Sequence, residues 1–279
     1  MKRTKLMNVW THIVLLIFLV LVIYPFLWML SVSLKDMQDL LVNTTNLVPK
    51  KLHFENYATA FKMGKIGRYY INSIIIAISS LFLVLVATYL GAYALVRMNL
   101  PGRRFIMIAF VSCIMIPMQV VMIPLLKFEA FIRINNTYWG LIFPYTAYSL
   151  PFGIFVMAAF LRTIPLDIEE AGMLDGCNRL QTILHILLPI SRPGFATVFI
   201  FTFMAIWNEF VLAMIIIQNQ SLSTLNLGLL NFKRSFGSLG MEPNLMFAGL
   251  TMVAAPMIIV YAVFQKQFIS GLIAGSIKS

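Results

Sequence analysis

Six long apolar runs constrain the fold of this chain more than any other feature of its sequence. They are Val9–Leu30, Ile71–Val96, Phe105–Leu126, Tyr138–Leu161, Pro193–Ile217 and Leu245–Phe268. A helix needs roughly 20 mainly apolar residues to cross the hydrocarbon core of a bilayer. Backbone polar groups must be paired inside lipid, so a spanning segment is a helix or part of a closed barrel. Because the runs are unbroken rather than alternating, they predict six transmembrane helices in an all-α protein.

The composition supports a membrane protein. Of the 279 residues, 60% are hydrophobic and only 11% are charged, whereas soluble domains are about 45–50% apolar and about 25% charged. The net charge is +11, but the basic residues are scattered among the ends of loops. This distribution favours anchoring at lipid headgroups over binding to nucleic acid.

The first run follows Lys2, Arg3 and Lys5, as a signal peptide would. It is longer than the apolar region of a signal peptide and no small-residue cleavage site follows, so we interpret it as a retained span. Six spans place both termini on one side of the membrane. With the N-terminus inside, eleven Lys and Arg residues lie inside and ten outside, so charge supports this orientation only weakly.

One segment between spans, residues 162–192, differs from the others and is too long for a simple turn. Apolar or small residues recur there at a spacing of three, at Ile168, Ala171, Leu174 and Cys177. This spacing predicts a helix with one apolar edge. Such a helix either docks in a groove of a partner protein or lies in the headgroup layer, and the pattern alone leaves both open.

The same segment resembles the signature loop of permease subunits of binding-protein-dependent ABC importers. That pattern is E-A-A, three residues, G, nine residues, I, one residue and L-P, and it is matched by Glu170, Ala171, Gly176, Ile186, Leu188 and Pro189. Gly172 stands where the pattern has a second Ala. It is still small, so we expect close approach to a partner to be retained, while helix propensity falls by about 1 kcal/mol.

The resemblance covers essentially the whole chain and is strongest over residues 69–269. It includes Ala92–Leu95 with Pro101–Arg104, the steps Ile116-Pro117 and Ile123-Pro124, Trp207–Phe210 and the ending 265–278. These look like the carbohydrate branch of the family, and specifically like the permease that pairs with a sister subunit in maltose-type and glycerol-phosphate-type systems.

The resemblance implies a type I importer in a bacterial plasma membrane. The expected partners are a sister permease, two ATP-binding subunits and an extracellular solute-binding lipoprotein or periplasmic protein, and the expected cargo is a sugar or sugar-like solute. It places the signature loop and both termini in the cytoplasm. The expected organisation is an N-terminal tail, first span and outer loop (1–68), a transmembrane domain (69–269) containing the signature loop (162–192), and a cytoplasmic tail (270–279).

The chain lacks the G-x-x-x-x-G-K-[ST] loop that cradles phosphates. ATP and magnesium are therefore expected on partner subunits, and this chain is expected to be a transport subunit with no cofactor of its own. The resemblance assigns coupling to the ATPases to Glu169, Glu170, Ala171, Gly172, Leu174, Asp175, Gly176, Ile186, Leu188 and Pro189. Gly176 is expected to form a sharp turn with positive φ, and Pro189 is expected to end the returning helix and start the next span.

A second candidate site is Trp207, Asn208, Glu209 and Phe210. Glu209 is a carboxylate in an apolar run, and such residues are costly and often functional. It lines the substrate pathway or makes a structural hydrogen bond to a neighbouring helix or to the sister subunit. Trp207 and Phe210 either stack on a sugar or contact lipid and other helices. Cys113, Cys177 and the three histidines have no metal-ligand spacing.

Two other functions are consistent with a polytopic chain. One is a secondary transporter driven by an ion gradient, for which Glu209 is the only clear intramembrane charge. The other is an intramembrane enzyme, but the sequence contains no H-E-x-x-H zinc helix.

Overall fold

The computed structural model describes residues 2–43, 45–236 and 242–276, and the side chains of 10–43, 45–232 and 242–265. Every regular element in these ranges is helical, as the sequence predicts. The helices, in our labels, are α1 Lys2–Ser33, α2 Met37–Val42, α3 Glu55–Met63, α4 Ile66–Arg97, α5 Arg103–Ile114, α6 Met118–Phe131, α7 Trp139–Arg162, α8 Asp167–Leu174, α9 Arg179–Ile190, α10 Arg192–Asn208, α11 Val211–Ile216, α12 Leu225–Phe236 and α13 Pro243–Ser276.

Four continuous helical segments are long and apolar enough to cross a membrane: Trp10–Ser33, Ile66–Arg97, Trp139–Arg162 and Pro243–Gln265. Two further helix pairs pass the same test but are sharply bent, α5 with α6 by 99° and α9 with α10 by 71°. The described chain therefore has four to six candidate spans. This confirms a polytopic all-helical protein. The part of the predicted C-terminal tail at 277–279, which includes Lys278, lies outside the described residues.

The two prolines of the third apolar run have different effects. At Pro117 the run breaks completely, because α5 ends at Ile114 and Pro117 adopts extended backbone with ψ of 136° before α6 begins. Proline has no N–H and disfavours helical backbone in the residue before it, which accounts for the break. Pro124 instead lies inside α6. The third apolar run is therefore broken at Pro117 and continues as a helix through Pro124.

The fifth run is also discontinuous. Helix α10 ends at Asn208, Glu209 is extended with ψ of 135°, and a short helix, α11, resumes at Val211. The sequence-based placement of Glu209 within a continuous span is therefore wrong. Its carboxylate lies at a helix break, where unpaired backbone groups need partners.

The chain forms two compact units, residues 1–68 with 228–256 and residues 69–227 with 257–279. The first unit has a polar centre around Lys35, which is fully buried. Lys35 Nζ donates to the backbone oxygens of Asn43 at 2.9 Å and Asn46 at 2.5 Å. Asn56 and Asn244 both donate to the backbone oxygen of Lys35. These bonds join the segment after α1 to the start of α13.

The second unit is built on a core shared by α4, α7, α9 and α10. Its buried members include Tyr89 and Tyr93 of α4, Met157 and Leu161 of α7 and Leu187 of α9. Small residues bring the helices close. A Cβ on Gly153 of α7 would lie 2.5 Å from Thr88 Oγ1 of α4. Close packing at small residues is the usual way helices associate inside membranes. This core extends directly into the signature loop.

Candidate coupling site

The signature loop folds as a helix, a tight turn and a returning helix. Helix α8 ends at Leu174, and Gly176 has a φ of +88°, which only glycine adopts readily. This confirms the predicted turn. Asn178 then caps α9: its Oδ1 accepts from Gln181 N at 2.9 Å, and Gln181 Oε1 accepts from Asn178 N at 2.8 Å. This reciprocal cap has a recognisable spacing that our sequence analysis missed.

Gly172 lies at a close contact inside the loop itself. A Cβ at this position would collide with Cδ1 of Ile186 on the returning helix, and Thr182 Oγ1 would lie 3.7 Å away. Gly172 is buried, whereas its neighbours Ala171 and Met173 are exposed. The expectation that a small residue here serves approach to a partner is therefore wrong, because the close approach is between α8 and α9.

Glu169 attaches α8 to the transmembrane helices. Its side chain is 6% exposed, and its Oε1 lies 2.6 Å from Nε of Arg97, the last residue of α4. Tyr93 OH donates to the other carboxylate oxygen at 3.4 Å. Buried charges in proteins are normally paired in this way. Glu169 was among the predicted coupling residues, and the structure shows that it faces its own chain.

Arg97 also closes the end of α7. Its Nη2 donates to the backbone oxygens of Leu161 at 3.0 Å and Ile164 at 2.6 Å. The last carbonyls of a helix have no partner within the helix, and a side-chain donor satisfies them. One guanidinium therefore joins the ends of α4 and α7 to α8. Sequence analysis missed Arg97, although it lies between the motifs Ala92–Leu95 and Pro101–Arg104.

The returning helix contains a π-helical stretch, Thr182–Leu187. Tyr89 OH of α4 donates to the backbone oxygen of Ile183 in this stretch at 3.0 Å. The returning helix ends at Ile190, one residue after Pro189, and α10 begins at Arg192. Pro189 therefore lies at the predicted junction, since helix bounds differ by one or two residues between definitions. The π stretch explains why proline is accepted there, because the regular bonding pattern is already interrupted before it.

The outward face of the loop combines acidic and apolar side chains. Glu170, Ala171, Leu174, Asp175, Gly176 and Pro189 are exposed, while Ile186 and Leu188 are half-buried. Leu174 is 88% exposed and Leu180, on α9, is 62% exposed. Glu170 and Leu174 are four residues apart on α8 and therefore lie on one face of that helix. The predicted coupling residues thus divide into an inward set, Glu169 and Gly172, and an outward set.

The Trp207–Phe210 segment makes mainly internal contacts. Trp207 is buried, lies 5.3 Å from the ring of Phe203, and its backbone oxygen accepts from Asn226 Nδ2 at 2.7 Å. Asn208 is exposed and donates to the backbone oxygen of Met204, and Phe210 is half-buried. The aromatic contact of Trp207 is with other parts of the chain.

Glu209 caps the short helix α11. Its carboxylate accepts from Leu212 N at 2.6 Å and Ala213 N at 3.2 Å. Tyr145 OH of α7 donates to the same carboxylate at 2.6 Å. A carboxylate at a helix N-terminus is favoured by unpaired N–H groups and the helix dipole. The observed geometry matches the structural alternative stated for Glu209. Among the described residues, no group of three or more His, Cys, Asp or Glu side chains could hold a metal ion.

Comparisons with known proteins identify the family. Residues 57–273 match a family described as binding-protein-dependent transport system inner membrane component. The chain is 34% identical to the diacetylchitobiose uptake system permease protein NgcG of Streptomyces coelicolor, covering 96% of this chain and 86% of that protein. It is 32% identical to the trehalose transport system permease protein SugB of Mycobacterium tuberculosis, covering 91% and 92%.

A solved structure shares the fold. The crystal structure of a bacterial ABC transporter involved in the import of the acidic polysaccharide alginate contains a chain that superposes with a TM-score of 0.83 at 22% identity. The superposition covers 95% of this chain and 98% of that one. The family profile assigns the protein to importers that use a solute-binding protein, as a transport component rather than an enzyme. The chain belongs to the binding-protein-dependent family of ABC transporter permeases, the inner membrane components of these importers.

Proposed function

We propose that the outward face of the signature loop is the surface on which ATP-binding subunits dock. The supporting observation is the division of the loop into two faces. Glu169 is buried against Arg97 at 2.6 Å, while Leu174 on the same short helix is 88% exposed. A rigidly anchored helix that leaves an apolar side chain in solvent suits a groove in a partner protein.

The anchoring also suggests how motion is transmitted. Because Arg97 contacts α8, α7 and α4 together, a displacement of α8 by a partner cannot occur without displacing the ends of both spans or breaking the cluster. Helix shifts of this kind are a common switching element. We infer that ATP-driven closure of the partner subunits moves α8 and changes the packing of α4 and α7. Coupling requires that the two arrangements bind the partners with different affinity.

We further propose six spans with both termini and the signature loop in the cytoplasm of a bacterial cell. The bent pair of α5 and α6 then provides one crossing, and the pair of α9 and α10 provides another through α10. The predicted division into residues 1–68, 69–269 and 270–279 belongs to this proposal. ATP and magnesium would be held by the partner subunits.

The cargo in this proposal is a sugar or sugar-like solute, delivered by an extracellular solute-binding protein. The names of the two relatives, one for diacetylchitobiose and one for trehalose, support this class. A heterodimer with a sister permease is proposed from the sequence resemblance. Asn208 is the most exposed of the four predicted pathway residues. Pathway lining is therefore proposed chiefly for Asn208, with Trp207, Glu209 and Phe210 positioning the break beside it.

The test is recovery of partners in mild detergent, with identification by mass spectrometry. The wild-type chain should bring down ATP-binding subunits and a second polytopic permease. Glu170→Lys should lose the ATP-binding subunits, because it reverses an exposed charge on α8. Glu242→Lys is the matched control, since Glu242 is also exposed but lies outside the loop.

A second pair of variants tests the turn. Gly176→Pro should lose the ATP-binding subunits, because proline cannot adopt the φ of +88°. Gly176→Asn should retain them, since asparagine tolerates left-handed backbone better than other residues. ATP-dependent uptake by Gly176→Pro at the wild-type rate would contradict the proposal.

A further inference from the structure

Four arginines line a cavity of about 430 Å³ at the ends of α4 and α7 and the start of α5. They are Arg97 at the end of α4, Arg103 and Arg104 at the start of α5 and Arg162 at the end of α7. Among the residues whose side chains the structure describes, none that lines this cavity is acidic. The cavity is separate from the outward face of the signature loop, which consists of residues further along the chain.

Three of the four guanidinium groups have no counter-charge. Arg97 is paired with Glu169. Within the ranges whose side chains are described, Arg103, Arg104 and Arg162 make no ion pair or side-chain hydrogen bond, and all three are exposed. Three unpaired guanidinium groups around one concave space favour an anion. Guanidinium binds phosphate in a bidentate manner and is the preferred side chain for this recognition.

The remaining lining is apolar. Leu95, Met107 and Ile108 complete the walls, and Ile108 is 55% exposed. The adjacent Phe105, one turn into α5, is 76% exposed. A free inorganic anion gains nothing from contact with apolar side chains, whereas a phospholipid presents a phosphate beside glycerol and acyl carbons that can pack against them. Basic pockets between transmembrane helices on the cytoplasmic side are a known type of site for acidic lipid headgroups.

We propose that this cavity binds the headgroup of an anionic phospholipid of the inner leaflet, with Arg103, Arg104 and Arg162 on the phosphate. The inference goes beyond the proposed docking function but rests on its cytoplasmic orientation for the leaflet. Arg97 contributes to the cavity and also holds Glu169 of α8. The lipid would thus lie against the residue that anchors the signature loop, and its presence would stabilise that anchor.

The test uses the complete transporter, purified with its partner subunits and stripped of lipid in neutral detergent. Binding of short-chain phosphatidylglycerol and of phosphatidylcholine is measured by native mass spectrometry. The variant is R103Q/R104Q/R162Q, and K51Q/K62Q/R68Q, which removes the same charge from exposed positions elsewhere, is the control. A basic residue near a membrane surface contributes about fivefold to anionic lipid binding. The first variant should therefore lose on the order of 100-fold in affinity for phosphatidylglycerol.

The control and the wild type should bind phosphatidylglycerol equally and in preference to phosphatidylcholine. Equal binding of phosphatidylglycerol by R103Q/R104Q/R162Q and the control would overturn the proposal. The three arginines would then only anchor the helix ends at the headgroup layer, without forming a lipid site. Displacement of the lipid by inorganic phosphate at equal concentration would also overturn it, because the site would then take the free anion. Recovery of ATP-binding subunits in the same preparation reports the docking function separately, so the two proposals can fail independently.

Discussion

The signature loop and the Trp207–Phe210 segment can be compared directly, because each places a carboxylate at a polar interruption of apolar helices. In the loop, Glu169 pairs with Arg97 at 2.6 Å. In the other segment, Glu209 accepts from two backbone N–H groups and from Tyr145. Both carboxylates hold helices of the same chain together. Neither carboxylate is left without a partner within its own chain.

The two segments differ in what surrounds the carboxylate. The loop exposes Leu174 and Leu180 as well as Glu170, whereas the Trp207–Phe210 segment buries Trp207 against Phe203 and Tyr70. Exposed apolar surface is typical of sites that bind another protein or the membrane. The family resemblance made the loop a candidate site and the intramembrane carboxylate made the other segment one. Exposure separates a surface for a partner from a junction within the fold.

The largest effect should come from removing Arg97. Arg97→Met leaves Glu169 buried without a counter-charge and removes a donor from the backbone oxygens of Leu161 and Ile164, and breaking a buried pair in this way costs about 3–5 kcal/mol. We expect a lower thermal unfolding temperature and loss of ATP-dependent uptake. The double variant Arg97→Met with Glu169→Leu should recover part of the stability, because replacing both partners with apolar residues removes the unpaired charge. Equal unfolding temperatures for the single variant and the wild type would refute the anchor.

A smaller effect should come from Gly172→Ala, although alanine is the residue in the family pattern. The added methyl group would collide with Ile186, and overpacking costs about 1–3 kcal/mol. The gain in helix propensity offsets about 1 kcal/mol of that. Ile186→Val in the same chain should relieve the collision, so a double-mutant cycle should give a coupling of at least about 0.5 kcal/mol. If the stability effects of the two substitutions are additive, Gly172 and Ile186 are not in contact, and the packing of α8 against α9 described above is wrong.

Glu209→Ala should cost about 1 kcal/mol, the usual value for loss of a helix cap. The comparison predicts that Glu209→Gln lowers stability less than Glu209→Ala, because the amide oxygen of Gln can still accept from Leu212 N. Tyr145→Phe, which removes the third partner, should lower stability in the same direction as Glu209→Ala. The measurement is thermal unfolding together with the solute concentration for half-maximal uptake. A change in that concentration with unchanged stability would favour pathway lining by Glu209. It would contradict the conclusion that Glu209, like Glu169, only joins helices of the same chain.

The sequence predicts the helical class, most of the spans and the turn at Gly176, because apolar length and the need for positive φ are local properties. It does not predict Arg97 or the burial of Glu169, since these depend on a contact between residues 72 positions apart in the chain. The break at Glu209 is missed for a related reason. Its partners are the N–H groups of Leu212 and Ala213 and the hydroxyl of Tyr145, and the apolar composition around it favours an uninterrupted helix.

The smallest effect on stability, and one of the most informative, should come from Leu174→Glu. Leu174 is 88% exposed, and surface substitutions usually change stability by no more than about 0.5 kcal/mol. If the outward face of the loop docks a partner, the same change should still remove the ATP-binding subunits from the purified complex, because it places a charge where an apolar side chain would be covered. Val48→Glu, at an 80% exposed apolar position outside the loop, is the control for a general effect of a new charge. Retention of the ATP-binding subunits by Leu174→Glu would mean that the loop, like the Trp207–Phe210 segment, serves the fold alone.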